Sequence, residues 1–229
     1  LLDSYKVTII YSIVATVLGV VVMAMLAYPL SRPNYKYKKI ATFFIFFTML
    51  FSGGLIPTYI WITRYLHLGD TIWVYILPCL VNAFHVIVIR SFFQGLPQAL
   101  MESAKIDGAS ELQTFFKIVM PLSKPVIATI SLLTLLSRWN DWNTALIYIK
   151  SSNLYSLQYL LQKILREAEF VKNMADSSPV AGVDLDLSKL PSVTIRFAMC
   201  MVAAGPMLII FPFFQKYFAK GLTVGAVKG

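Results

Sequence analysis

Four long runs of the chain contain no charged residue, and they limit the folds that it can adopt. The runs are Val7–Pro29, Ile40–Thr63, Thr71–Ile89 and Phe197–Gln215. Each is long enough to cross a hydrocarbon core of about 30 Å at about 1.5 Å per helical residue. A fifth run begins near Val126 and turns polar after Leu136. The sequence therefore predicts an all-α, polytopic membrane protein with five spans in this chain.

The composition agrees with several membrane spans. Hydrophobic residues make up 58% of the 229 residues, charged residues only 14%, and the mean hydropathy is +0.70. Ordinary soluble domains are about half apolar and about a quarter charged. We therefore expect a single transmembrane domain over residues 1–229.

The basic residues are divided unevenly between two sets of loops. One set carries 11 Lys and Arg against three acids, whereas the segment 150–191 carries five of each. The positive-inside rule then places the segment 94–125 and the C-terminus in the cytoplasm, with residues 1–6 and the loop 150–191 on the other side. This bias accounts for the net charge of +9. Nucleic-acid binding is not expected, because no basic–aromatic groove segment occurs outside the membrane loops.

The segment 94–125, which we call the knob, is a polar, helix-forming island between two spans. Pro97 suits the first turn of a helix, where its missing N–H costs nothing. That helix is predicted to run to about Ile106. Asp107 and Gly108 follow it, and this pair readily makes a tight reversal.

A second helix is predicted after this turn. Ser110 stands at its N-cap with Gln113 three residues later, which is the spacing of a capping box. Pro121 is expected to end the helix. One apolar stripe at helical spacing is formed by Leu112, Phe115, Phe116 and Val119. Two short helices joined by a turn and held between membrane spans predict a docking surface.

The same residues resemble the EAA loop in the membrane subunits of ATP-binding-cassette (ABC) importers. The positions that carry the resemblance are Glu102-Ser103-Ala104, Asp107-Gly108-Ala109, Phe115, Ile118 and Pro121. Two positions depart from the family pattern. Ser103 replaces the second residue, an Ala, and Met120 stands where Leu is usual before the proline.

The resemblance implies that the knob couples the spans to an ATPase. In this family the loop inserts a short helix into a cleft of the ATPase subunit. Glu102 is then expected to contact that cleft, Asp107 and Gly108 to form the turn, and Phe115 and Phe116 to anchor the knob against the spans. The sequence has no GxxxxGK loop, so no cofactor is expected on this chain, and ATP and Mg²⁺ are expected on separate ATPase subunits.

The resemblance extends over almost the whole chain and ends in KGLTVGAVKG, which is similar to the tail of sugar-type permeases. It implies a type I ABC importer transmembrane fold with six spans in the intact family member, so a preceding N-terminal span is expected. The implied partners are a second homologous permease, two ATPase subunits, a solute-binding protein, membrane lipid and an oligosaccharide cargo. The implied location is a bacterial or archaeal plasma membrane.

The polar end of the fourth span is a candidate for contact with cargo. It consists of Arg138, Trp139, Asn140, Asp141, Trp142 and Asn143. On a helix, Arg138 and Asp141 are i, i+3 neighbours, and Trp139 and Asn143 are i, i+4 neighbours. Indole faces with amide and carboxylate groups suit a sugar. The alternative is that Arg138 neutralises Asp141 while the two indoles anchor the span at the interface.

Three further features have two readings each. Asn82 and His85 share one face of the third span. They either line a transport path or form a hydrogen bond with a neighbouring helix. The pairs Gly53-Gly54, before Pro57, and Gly205-Pro206 predict bends that act as hinges or as close helix contacts. After 150, an amphipathic helix containing leucines from Leu154 to Leu165 is followed by an irregular segment from Glu167. The helix and the segment after it either dock a solute-binding protein, or form a membrane-surface helix and its linker.

Other classes of protein remain open at this point. A permease for peptides, phosphate or amino acids shares the EAA loop. A channel or secondary transporter is also polytopic, but it has no need of a cytoplasmic helix–turn–helix knob. Cys79 and Cys200 lie in predicted spans, which argues against a structural disulfide, and neither His67 nor His85 belongs to a cluster typical of a metal site.

Overall fold

The computed structural model describes the backbone of residues 1–177 and 192–226, and all regular structure in these ranges is helical. The α-helices are α1 (Leu2–Ser31), α2 (Lys38–Leu50), α3 (Leu55–Ile60), α4 (Ala83–Gln94), α5 (Gln98–Ile106), α6 (Glu111–Thr114), α7 (Met120–Leu122), α8 (Lys124–Trp139), α9 (Asn143–Tyr148), α10 (Leu157–Ser177) and α11 (Ser192–Ala226). The last part of the predicted outer loop, 178–191, and the end of the sugar-permease-like tail, 227–229, lie outside the described residues.

The long helix α1 is the centre of the packing, and α4 and α8 contact it most extensively. Its buried face repeats every three to four residues and consists largely of small side chains, among them Thr8, Ser12, Ala15, Gly19, Ala24 and Ala27. Small residues allow membrane helices to approach closely, because lipid provides no hydrophobic force between them. A Cβ on Gly19 would lie 3.1 Å from the backbone oxygen of Leu80. The absence of a side chain at this position therefore allows the third span to pack closely against α1.

In the part of the chain that the structure describes, two helices are long and apolar enough to cross a membrane without a break: α1 and the part of α11 from Phe197 to Gln215. Three bent pairs of helical segments also pass this test when each pair is taken as one span, which gives up to five spans. The five apolar runs of the sequence correspond to these segments.

The second span is broken, as the prediction of a bend at Gly53 and Gly54 indicated. Its two helical parts, Lys38–Leu50 and Leu55–Tyr65, meet at 111°. Gly54 has a φ of +84°, a value that side chains with a Cβ rarely adopt. The predicted bend at Gly53 and Gly54 is therefore confirmed.

The third span is also interrupted. Short 3₁₀ turns over Ile72–Tyr75 and Leu77–Cys79 precede α4, and the two parts are bent by 47°. Asn82 lies at the break, where its side chain accepts a hydrogen bond of 3.1 Å from the backbone N–H of His85 and caps α4. This cap satisfies a backbone donor that hydrocarbon would leave unpaired.

The fourth span ends earlier than the sequence indicated. Helix α8 stops at Trp139, Asn140 is its C-cap, and a new helix begins at Asn143. Trp139 and Asn143 therefore do not lie on one helix, and the i, i+4 contact predicted between them was wrong. Asp141 occupies the break, where its side chain accepts hydrogen bonds from the backbone N–H and the hydroxyl of Thr144.

The prediction of an irregular segment from Glu167 needs correction. Helix α10 continues to Ser177, so the residues from Glu167 to Ser177 are helical. The apolar residues Leu157 and Leu161 of α10 are buried against Trp139 and α11 rather than lying free on a surface. Helix α11 continues through Gly205 and Pro206, and the bend predicted there stays a prediction.

Asp70 joins two loops at the end of the molecule opposite the knob. Its carboxylate accepts hydrogen bonds from the backbone N–H groups of Lys150 and Ser151, both at 2.9 Å, and from the hydroxyl of Ser151 at 2.6 Å. Its own N–H donates to the backbone oxygen of Tyr148. The hydroxyl of Ser151, followed by the two amides, lowers the pKa of Asp70 below its usual value.

We predict that Asp70→Asn loosens this clasp. Asn tolerates the left-handed backbone found at position 70, where φ is 57°, so the exchange removes charge without backbone strain. The amides of Lys150 and Ser151 should exchange hydrogen several-fold faster than in the parent at neutral pH, as measured by mass spectrometry. Asp3→Asn, at an exposed acid in the first turn of α1, is the control.

The pH dependence of this difference follows from the direction of the pKa shift. The pKa of Asp70 is lower in the folded than in the unfolded protein. The stabilisation by its hydrogen bonds is therefore fully present above the unfolded pKa of about 3.9, and it is lost as the pH falls through the folded pKa. Variant and parent should therefore converge at strongly acidic pH. A difference that stays constant down to such pH would contradict the role of the carboxylate.

Candidate functional site

The first half of the knob folds largely as its sequence predicts. Helix α5 ends at Ile106, and Gly108 adopts a φ of +77° in the turn that follows. Ser110 and Gln113 form both hydrogen bonds of the capping box, at 2.9 and 3.3 Å. Pro97 occupies the N-cap of α5 rather than its first helical position, a shift of one residue.

The second half of the knob departs from a regular helix. A π-helical turn over Phe115–Val119 separates α6 from α7. Pro121 lies in the short helix α7, which ends at the next residue, Leu122, where the chain bends by 81° into α8. The helical segment therefore ends within one residue of the predicted position. The wider π turn also rotates the faces of the helix. Phe115 and Val119 are buried, whereas Leu112 and Phe116 are exposed, so the predicted four-residue stripe was wrong and only Phe115 of the two phenylalanines anchors the knob.

The knob is fixed to the end of α1 by a polar and aromatic contact. The Tyr28 hydroxyl donates to Oε2 of Glu111 at 2.7 Å, and the Tyr28 ring meets Phe115 edge to face at 5.2 Å. Arg32 lies over the Tyr28 ring at 4.3 Å and donates to its hydroxyl. The sequence analysis missed Tyr28, Arg32 and Glu111; the only local signal was an aromatic and a basic residue at the end of a span.

The knob exposes part of the EAA pattern to solvent. Glu102 and Ser103 are exposed on α5, while Ala104 is buried. Ile106, a large apolar residue at the end of the same helix, is 86% exposed. An exposed isoleucine beside a carboxylate suits contact with another protein.

A second site is a cavity of about 220 Å³ that brings together residues of α1, the break in the third span, α4 and α8. Its polar lining consists of Cys79, Asn82, His85, Thr134, Ser137 and Arg138. Two of the predicted path residues, Asn82 and Arg138, therefore meet here, although they are far apart in the sequence. His85 also approaches Thr134 of α8, with Nδ1 and Oγ1 3.5 Å apart.

Arg138 and Asp141 form the ion pair that the sequence left open as the alternative to cargo contact, with 3.3 Å between Nη1 and Oδ2. The guanidinium also donates to the Cys79 sulfur at 2.7 Å and to the Ser137 hydroxyl at 3.2 Å. The side chain of Arg138 is 17% exposed and lines the cavity.

The remaining residues of the polar segment face other parts of the fold. Trp139 is only 2% exposed and donates its indole N–H to the backbone oxygen of Ala203 in α11 at 2.9 Å, which favours a packing role. Trp142 lies beside the guanidinium of Arg166, which is 5.7 Å from the ring centre. Asn140 donates to the backbone of Leu136. The structure therefore does not gather the six residues around one cargo position.

Packed apolar helices, a helix–turn–helix knob between them and a polar cavity within them define an integral-membrane transport subunit. Residues 11–224 match the family described as "Binding-protein-dependent transport system inner membrane component". The chain belongs to this family, and its role is that of a permease subunit of an ABC importer rather than that of an enzyme.

Individual relatives agree with this assignment. The polygalacturonan/rhamnogalacturonan transport system permease protein YtcP of Bacillus subtilis is 40% identical over 99% of this chain and 77% of its own length. The arabinooligosaccharides transport system permease protein AraQ of the same organism is 33% identical over 97% of this chain and 72% of its own. A bacterial ABC transporter involved in the import of the acidic polysaccharide alginate matches with a TM-score of 0.78 and 30% identity, covering 94% of this chain and 74% of that chain.

We predict that the Tyr28–Glu111 hydrogen bond holds the knob in place. Tyr28→Phe and Glu111→Ala should each lower the local stability of α6 by about 1.5–3 kcal/mol, the range for a hydrogen bond to a charged group. The double variant should cost little more than either single change, because both remove the same bond. Hydrogen exchange over Glu111–Thr114 measures the effect, and Tyr65→Phe, at an exposed tyrosine, is the control. Additive costs would show that the two residues act separately.

Proposed function

We propose that this permease subunit imports an oligosaccharide delivered by a solute-binding protein. In this proposal it pairs with a second, related permease, and the pair sits on two ATPase subunits that bind ATP and Mg²⁺. The observation that carries the proposal is the exposed helix–turn–helix of the knob. The sugar cargo is supported by the names of the relatives, several of which are transport proteins for oligosaccharides or polysaccharides.

Coupling runs from the knob to the spans. Glu102, Ser103, Ala104, Asp107, Gly108 and Ala109 form the helix and turn that contact the ATPase, and Phe115 and Pro121 belong to the return segment. When ATP closes the ATPase pair, the knob moves with it. The contact of Tyr28 with Glu111 and Phe115 passes this movement to α1. Helix α1 in turn lines the cavity through Met23.

The orientation of the chain follows from the same scheme. The knob and the C-terminus lie in the cytoplasm, where the ATPases are, and the protein crosses the plasma membrane of a bacterium or archaeon several times. The excess of Lys and Arg in the loops on the knob side supports this orientation. The loops joined by Asp70 then lie on the outer side, where a solute-binding protein docks.

The translocation path includes the cavity. Asn82 and Arg138 line it directly. Asp141 contributes by holding Arg138, and Asn140, Trp142 and Asn143 continue from it toward the outer side. Trp139 supports the path by fixing α8 to α11 rather than by contacting cargo.

Substitutions at Gly108 can test the coupling without disturbing the fold. A Cβ at this position would meet no atom within 4 Å, so only the left-handed backbone restricts the side chain. Gly108→Val should strain the turn by about 1–2 kcal/mol or more and abolish transport while ATP hydrolysis continues without cargo. Gly108→Asn, which tolerates this backbone, should retain most transport and serves as the matched control.

The assay is uptake and ATP hydrolysis by the complete importer in proteoliposomes with its binding protein. Membrane insertion of both variants should equal that of the parent. Full transport by Gly108→Val would mean that the knob is not the coupling element.

A further inference from the structure

The cavity beside Arg138 lies well inside the span of α1. The Tyr11 hydroxyl donates to the backbone oxygen of Arg138 at 3.0 Å, and Met23 lines the cavity twelve residues further along the same helix. At about 1.5 Å per residue these two levels are about 18 Å apart, and both lie within the 30-residue helix α1. Arg138 therefore carries its charge at membrane depth, where ionisable groups are costly and mark ligand pathways.

The ion pair with Asp141 leaves Arg138 with capacity for another anion. Both carboxylate oxygens of Asp141 are engaged by Thr144, at 3.0 Å from its backbone N–H and 2.7 Å from its hydroxyl. The contact of Asp141 with Arg138 is longer, at 3.3 Å, and involves one guanidinium nitrogen. A guanidinium can donate five hydrogen bonds in a planar fork. Asp141 thus orients Arg138 without using all of its donors.

The polar side chains beside Arg138 in the cavity can also donate hydrogen bonds to a ligand. The carbonyl oxygen of Asn82 is occupied by the N–H of His85, which leaves the amide NH₂ of Asn82 for a ligand. The Ser137 hydroxyl accepts from Arg138, so its proton is available to donate. Among the described residues that line the cavity there is no carboxylate. A guanidinium with amide and hydroxyl donors recognises a carboxylate group.

We propose that this cavity binds the carboxylate of an acidic sugar residue, so that the cargo is an oligosaccharide containing uronic acid. The inference rests on the proposed oligosaccharide import and adds the charge class of the cargo. A volume of about 220 Å³ is smaller than the roughly 300 Å³ or more of a site for a drug-sized ligand. The cavity therefore takes one acidic residue of the chain rather than the whole oligosaccharide.

The test compares cargo pairs that differ only in the carboxylate. Uronic-acid oligosaccharides from digested plant and algal polysaccharides are used before and after chemical reduction of each carboxyl group to a primary alcohol. The complete importer, with its own binding protein, is reconstituted in proteoliposomes, and imported sugars are identified by mass spectrometry. The acidic set should be imported and its reduced counterpart should not.

Variants connect this selectivity to the cavity. Arg138→Gln should lower uptake of the acidic set about tenfold or more, because a charge-assisted hydrogen bond is lost. Arg138→Lys, which keeps the charge, should retain an intermediate rate. The double variant Arg138→Gln with Asp141→Asn leaves no unpaired carboxylate, so a defect that persists in it does not come from an uncompensated charge on Asp141. Arg64→Gln, at an exposed cation outside the cavity, is the matched control.

The outcomes separate the two proposals. Import of the reduced sugars as fast as the acidic ones, or unchanged acidic uptake by Arg138→Gln, overturns the acidic-cargo inference and leaves oligosaccharide import standing. Import of neither set, by an importer that takes up a non-sugar solute, overturns both. Import of the acidic set alone, lost on removal of Arg138, is the result expected.

Discussion

Hydrocarbon offers no hydrogen bonds to a backbone, yet among the described residues the second and third apolar spans are each bent at a break between two helical parts. At the break in the third span, another part of the chain covers the backbone. The small-residue face of α1 allows this, since Gly19 leaves room for the backbone at Leu80. Side chains nearby then provide hydrogen-bond partners for the backbone N–H groups at the helix ends: Asn82 caps α4, and Asp141 binds the first turn of α9. A side chain at Gly19 would force the third span away from the helix that shelters it.

The same helix connects the two candidate sites. Tyr28, near one end of α1, holds the knob through Glu111, while Tyr11, near the other, bonds the backbone of Arg138. The seventeen residues between them span about 26 Å of rigid helix. A displacement of the knob therefore reaches the cavity through one continuous element rather than through a chain of loops. Helix α1 is therefore the route of the proposed coupling between the knob and the cavity.

Local signals in the sequence predicted local structure well. Charge-free runs marked the spans, and Ser110 with Gln113 marked the start of a helix that forms with both capping hydrogen bonds. The breaks inside the spans were harder, because a run in which nearly every residue is apolar has no periodicity to distinguish an α-helix from a 3₁₀ turn. Gly54 was an exception, since paired glycines indicate a backbone change directly.

Contacts between distant residues could not be read from the sequence. Tyr28 and Glu111 are 83 residues apart, and Trp139 bonds Ala203, 64 residues further on. An indole that seemed suited to a sugar is instead buried against α11. Asn82 and Arg138 were each identified as polar residues in spans, but only the folded chain places them in one cavity. Family resemblance supplied the role of the knob, and the structure supplied its attachment to α1.

The most direct test of the coupling account is to ask what touches Ser103 in the living cell. A photo-crosslinking amino acid at this exposed position should form an adduct with an ATPase subunit, identified by mass spectrometry, and its yield should change when ATP hydrolysis is blocked. The same group at Leu66, exposed at the opposite end of the molecule, should capture no ATPase. The account would be contradicted if Ser103 formed adducts only with lipid, or with a protein on the outer side of the membrane, and none with an ATPase.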